Sequence, residues 1–96
     1  MNTIQKEKID AIKNYIESKR LNIKLTERNL LAGAKRLIYE GENFEVSIEI
    51  SEEGKVGMSR DVPTAPDLSV EFTRIPASEI YAALDAILIE FSKVFK

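Results

Sequence analysis

Carboxylates in the segment 45–53 are the first candidates for chemistry in this sequence. Glu45 and Glu49 fall on one face of a predicted strand, and Glu52 and Glu53 follow at its end. Such a group could hold a hard cation, but the segment lacks the spaced ligands of a calcium loop and a second cluster to complete a site. A solvated strand face is the favoured interpretation, so the sequence predicts neither a metal site nor a glycosidase with paired carboxylates.

Cysteine and histidine are both absent from the 96 residues. Their absence excludes disulfides, thiolate zinc sites, cysteine nucleophiles and histidine general bases, which together serve most common hydrolases and metalloenzymes. We therefore expect a protein that is not an enzyme, with no catalytic residues and no cofactor.

The distribution of charge is more informative than its total. The chain carries 14 basic and 16 acidic residues for a net charge of -2, yet residues 1–36 have nine basic and four acidic groups, a local charge of +5. Residues 37–96 have five basic and twelve acidic groups, a local charge of -7. A chain polarised in this way favours oriented encounters with charged partners.

Basic and aromatic side chains mark a second candidate surface. A helix is predicted over 26–40, and on the side away from its apolar stripe Arg28, Lys35 and Arg36 lie beside Tyr39. Arginine and tyrosine are enriched at binding hot spots, although a solvated helix face is the alternative. The residues predicted to bind a partner, from this helix and from the glutamate-rich strand, are Arg28, Lys35, Arg36, Tyr39, Glu45 and Glu49.

Hydropathy periods indicate the elements that must position these side chains. Isoleucines at helical spacing predict a first helix over about 4–19, and a short extended connection or minor edge strand follows at 21–25. The second helix, 26–40, is predicted to begin at a Thr26 cap and to end before Gly41.

From Phe44 onwards the hydropathy period changes to two. This period predicts a strand at 44–50 and, after a turn at 51–54, a hairpin partner at 55–60. Apolar residues at 68, 70 and 72 predict a third half-buried strand, and Pro76 suits the first turn of a final helix. The inward stripes of this strand and helix predict a central core of Phe72, Leu84, Leu88 and Phe91.

The predicted fold class is α+β with the element order α-α-β-β-β-α. Two N-terminal helices and a C-terminal helix accompany a three-stranded antiparallel sheet, and the last helix packs on one face of that sheet. We expect one domain over residues 1–96, made of an N-terminal helix and connection (1–25) and an α-β-β-β-α core (26–96).

The function expected from these features is that of a small non-catalytic protein-binding module. An inhibitor or accessory protein of the phage or mobile-element type has this size, charge and lack of catalytic groups. The alternatives are a nucleic-acid-binding or regulatory module that uses the basic N-terminal third, and a structural homo-oligomer such as a homodimer. Nucleic acid is the less favoured partner because the chain is acidic overall. No apolar run is long enough for a membrane span, so we expect a cytoplasmic protein with no membrane partner.

Overall fold

The computed structural model describes residues 2–94 of the chain, with the side chains of residues 2–88. One N-terminal helix is followed by five strands and a C-terminal helix. The elements are α1 (Thr3–Glu17), β1 (Lys24–Asn29), β2 (Lys35–Glu40), β3 (Glu45–Ile50), β4 (Val56–Asp61), β5 (Val70–Ile75) and α2 (Ile80–Val94), with 3₁₀ turns at Leu31–Gly33, Pro66–Leu68 and Ala77–Glu79. Within residues 2–94, no helix has the length and apolar character needed to cross a bilayer.

The strands form one antiparallel sheet in the order β1-β2-β3-β4-β5, so each strand pairs with its neighbour in sequence. The predicted order of two N-terminal helices and three strands is therefore wrong, although the α+β class is correct. The hairpin predicted at 44–50 and 55–60 is present as β3 and β4, and the first and last predicted helices are α1 and α2.

The predicted helix at 26–40 is instead a hairpin of β1 and β2. Leucines and alanines in this segment have helical spacing, but Leu31 lies in the connecting loop and is exposed, whereas Leu37 lies in β2 and is fully buried. Gly33, with φ of 76°, reverses the chain where a helix would have to continue. Pairing of β2 with β3 buries Leu37 beside Ile48, and this tertiary contact overrides the local helical preference.

Both helices pack on one face of the sheet, which we call the inner face; the opposite face is the outer face. The inner residues of β3 and β4 alternate with outer ones, and α1 and α2 cover them to form a single hydrophobic cluster. The fully buried centre of this cluster includes Ile12, Ile48 and Leu84. The prediction that Leu84 and Leu88 belong to the core is confirmed, and Phe91 lies outside the described side chains.

The prediction that Phe72 is a core residue is wrong, because its side chain is 46% exposed. The register of β5 on β4 shifts between Met58 and Arg60, where Met58 pairs with Thr73 but Arg60 pairs with Val70. This irregularity turns the Phe72 ring to the outer face, where it covers Gly57 so closely that a Cβ there would overlap the ring.

A polar contact joins α1 to α2 beside the core. The Tyr15 hydroxyl donates to Asp85 Oδ1 at 2.5 Å, and Lys19 Nζ lies 3.2 Å from the same oxygen. These two partners lower the pKa of Asp85, and the hydrogen bond to Asp85 raises the pKa of Tyr15. The Tyr15 ring also packs on Tyr81, with 4.7 Å between ring centroids. The contact fixes the two helices side by side on the inner face.

Candidate functional site

Four of the six predicted binding residues lie on the outer face of the sheet. Arg28, Arg36 and Glu49 occupy neighbouring positions across β1, β2 and β3, and Glu45 lies further along β3 on the same face. Arg36 Nη2 is 3.5 Å from Glu49 Oε2. The structure therefore brings Arg28, Arg36 and Glu49 together, although it does so across a sheet and not along the predicted helix, and it leaves Glu45 at the other end of β3.

Lys35 belongs to the inner face and takes part in an ion-pair network. Its Nζ lies 3.1 Å from Glu27 Oε1, and Lys13 Nζ from α1 lies 3.1 Å from Glu27 Oε2. Hydrogen bonds from Lys13 and Lys35 hold the pKa of Glu27 below its ordinary range. This network ties α1 to β1 and β2, so Lys35 has a role in holding the fold together.

Tyr39 also faces inward and is 4% exposed. Its hydroxyl has no hydrogen-bond partner in the described part of the chain. Burial raises the pKa of Tyr39 to about 12, and the negative charges of Glu17 and Glu27 act in the same direction. Tyr39 is therefore separated from Arg28 and Arg36 by the thickness of the sheet.

Charged residues divide the outer face into two rows of opposite sign. The basic row crosses all five strands and consists of Arg28, Arg36, Glu49, Gly57 and Arg74. The acidic row lies at the other end of the strands and consists of Lys24, Glu40, Glu45 and Asp61. Between them lie Thr26, Ile38, Ser47 and Ser59. Close to the basic row, the Arg74 guanidinium lies 5.4 Å from the centre of the exposed Phe72 ring.

The loop between β1 and β2 presents a leucine that sequence patterns place in a helix core. The side chain of Leu31 is 94% exposed. Its loop is closed by a 2.8 Å hydrogen bond from the Leu30 N–H to the Ala34 carbonyl. Ala32, with φ of 62°, adopts the left-handed conformation that L residues rarely take. The local sequence signal for this loop is Gly33, because glycine favours turns.

A buried glutamine holds this loop against α1. Gln5 is 2% exposed, and its Nε2 donates to the Gly33 carbonyl at 2.8 Å and to the Ile50 carbonyl at 3.1 Å. At Gly33 a Cβ would overlap the Glu52 side chain, so the loop also packs closely on the β3–β4 turn. These contacts hold the loop at Gly33, two residues beyond Leu31.

We call the end of the sheet that contains loops 30–34 and 51–55 and residues 75–80 the hairpin end. The amide of Asn2, which caps α1, donates to the Glu52 carbonyl at 2.8 Å, so α1 begins there. In the described residues no group of three or more carboxylates is placed to hold a metal ion. No family model, no curated protein and no solved structure matches this chain.

Proposed function

We propose that this protein is a non-catalytic protein-binding module that uses Leu31 as its anchor. Its partner would present an apolar pocket surrounded by acidic side chains, and the protein would act as an inhibitor or accessory protein of that partner. The observation that carries the proposal is the 94% exposure of a leucine on a loop fixed by hydrogen bonds.

The energetics of the loop support an anchoring role. Full burial of a leucine side chain stabilises a complex by roughly 1.5–3 kcal/mol relative to exposure. The left-handed backbone at Ala32 costs about 1–2 kcal/mol in the free protein. Because Gln5 already holds the loop in shape, little conformational entropy is lost when Leu31 enters a pocket.

The charges beside the loop favour an acidic partner. Arg28 and Arg36 lie on the two strands that the loop connects. No carboxylate in the described part of the chain forms an ion pair with Arg28, and Arg36 meets Glu49 at the long distance of 3.5 Å. Complementary charge at such positions mainly raises the association rate, and salt should slow it.

Site-specific photo-crosslinking tests the proposal. Benzoylphenylalanine replaces Leu31 in one sample and Val70, which is 37% exposed on β5, in a control sample. We expect a discrete cross-linked protein from position 31 and not from position 70. The captured protein, once purified, should bind Leu31→Ala at least tenfold more weakly than wild type and Val70→Ala within about twofold. Absence of a cross-link at position 31, or equal affinities for all three proteins, would contradict the proposal.

A second candidate function is self-association through the outer face. The basic and acidic rows are separated along the strands. If two copies packed outer face to outer face, a two-fold axis along the residues between the rows would set the basic row of each copy against the acidic row of the other. Sedimentation at low and high salt tests this candidate. A dimer that dissociates with salt and with Arg36→Glu, but not with Leu31→Ala, would favour self-association over an acidic partner.

Salt-dependent binding to DNA or RNA would favour the nucleic-acid alternative.

A further inference from the structure

A cavity of about 670 Å³ opens at the hairpin end, on the side of the helices. Residues from α1, the β3–β4 turn, β5 and the start of α2 surround it. Its apolar lining includes Ile4, Val56, Ile75 and Ile80. The volume lies within the range of roughly 300–1,000 Å³ that is typical of small-molecule sites. Leu31 does not line this cavity, so it is separate from the proposed anchor.

Two cations from two different elements line the same cavity. They are Lys8 on α1 and Lys55 at the β3–β4 turn. Arg74 on β5 also borders the cavity, but its guanidinium packs on the Phe72 ring at the outer face. Among the described side chains, none of these cations has a carboxylate within ion-pair distance. Glu53 also lines the cavity; hydrogen bonds from its own backbone N–H and from Ser51 lower its pKa most, and the charges of Lys55 and Arg74 lower it further. The cavity therefore combines an apolar lining with two lysines and one carboxylate, which leaves a small excess of positive charge.

We propose that this cavity binds a small amphiphilic anion, which is an apolar chain or ring that ends in a carboxylate or phosphate group. The apolar body would lie against Ile4, Ile75 and Ile80, and the anionic group would meet Lys8 and Lys55. Such a ligand satisfies both features of the cavity, since apolar burial supplies affinity and the cations fix the orientation of the head group.

Titration of the ¹⁵N-labelled protein with sodium decanoate, below its micelle concentration, tests the proposal. Saturable shifts should appear at the amides of Gly54, Lys55 and Ala77, which surround the cavity. Decanol lacks the charge and acetate lacks the chain, so each should bind at least tenfold more weakly than decanoate. Decyl phosphate, run in parallel, distinguishes a phosphate from a carboxylate head group. Shifts that do not saturate, or that map to the outer face, would overturn the proposal.

Charge-reversal variants give a matched control. Lys8→Glu should weaken decanoate binding about tenfold or more, whereas Lys6→Glu, the same change two residues earlier on α1 and outside the cavity, should change it less than threefold. Lys55→Glu, in an exposed turn, repeats the test without altering α1. Ala77→Phe should block the cavity with no loss of charge. Equal effects of Lys6→Glu and Lys8→Glu, or binding of an acidic apolar peptide in place of decanoate, would reject a small-anion site.

Discussion

Replacement of Gln5 by methionine tests how the Leu31 loop is held. Methionine has nearly the shape of glutamine but cannot donate, so the variant removes the bonds to the Gly33 and Ile50 carbonyls. Each such hydrogen bond contributes about 1 kcal/mol, and a buried acceptor left without a partner costs about 1–3 kcal/mol. Part of this loss is offset, because each carbonyl oxygen has a second lone pair that can accept another hydrogen bond and because methionine is more hydrophobic than glutamine. We expect a decrease in unfolding free energy of about 2 kcal/mol.

Urea denaturation measures this change, with Lys6→Met as the control. Lys6 is the exposed neighbour of Gln5 on α1, so its replacement should cost less than about 0.5 kcal/mol. For a domain of this size, a loss of about 2 kcal/mol lowers Tm by roughly 8–16 °C. The Gln5→Met variant should also exchange its amide hydrogens at residues 31–33 faster than wild type, because the left-handed turn at Ala32 loses its support. An unfolding free energy within about 0.5 kcal/mol of wild type, together with unchanged amide exchange in the loop, would refute this account of Gln5.

Three further substitutions follow from the same contacts. Leu88→Ala should lower the unfolding free energy by about 2–5 kcal/mol, and an unchanged urea midpoint would reject its place in the core. Lys13 and Lys35 lower the pKa of Glu27 in the folded protein from its ordinary 4.5. The ionised carboxylate therefore stabilises the fold above pH 4.5, and this contribution is lost as pH falls through the lowered pKa of the folded state. Glu27→Gln should therefore destabilise the protein at pH 7 by up to about 1 kcal/mol and by less at pH 3; an equal difference at both pH values would contradict the ion pairs. Tyr39→Phe removes a buried hydroxyl that has no partner among the described residues, so calorimetry should show an equal or higher Tm, and a marked drop would reveal a missed hydrogen bond.

Elements with one dominant period could be predicted from the sequence. The β3–β4 hairpin alternates strictly, and its observed strands lie within one residue of the predicted bounds. The isoleucines of α1 and the apolar stripe of α2 are likewise sufficient for helices in the right places. In each case the local pattern and the tertiary contacts favour the same structure.

Residues 26–40 show where that agreement fails. The segment is rich in leucine, alanine, lysine and arginine, which are all good helix formers, so its local preference is helical. The competing strand signal is short. Leu25, Glu27 and Asn29 alternate with outward residues, and Glu27 lies on the inner face, where it pairs with two lysines. A charged residue at an inward position hides the period of two. Only the pairing of β2 with β3 makes the extended conformation the better one.

The places of the predicted binding residues in the fold could be predicted only in part from the sequence. Arg28, Arg36 and Glu49 do form one surface, yet Lys35 has the opposite orientation because strand neighbours alternate faces. Reversal of the charge at Arg28, Lys35 and Arg36 together would therefore remove the Lys35–Glu27 ion pair as well as change the charge of the outer face. Leu31 could not be recognised as an exposed side chain, because exposure depends on the loop that Gln5 holds from 28 residues away.

The meander topology explains why both helices begin at the hairpin end. Antiparallel strands return loops 30–34 and 51–55 to the same end of the sheet, and β5 also finishes there, so α2 must begin at that end. The Asn2 cap places the start of α1 at the same end. Each helix N-terminus carries a partial positive charge of roughly half a unit, and α1 has no acidic residue in its first turn to offset it.

Lys55 and Arg74 also lie at this end, although both come from the chain segment with a local charge of -7. Division of the sequence into basic and acidic segments therefore does not describe how charge is arranged in the fold, because the fold brings cations from both segments to one end. The proposed Leu31 anchor and the proposed amphiphile cavity lie at that same end. Both proposals therefore expect an anionic occupant.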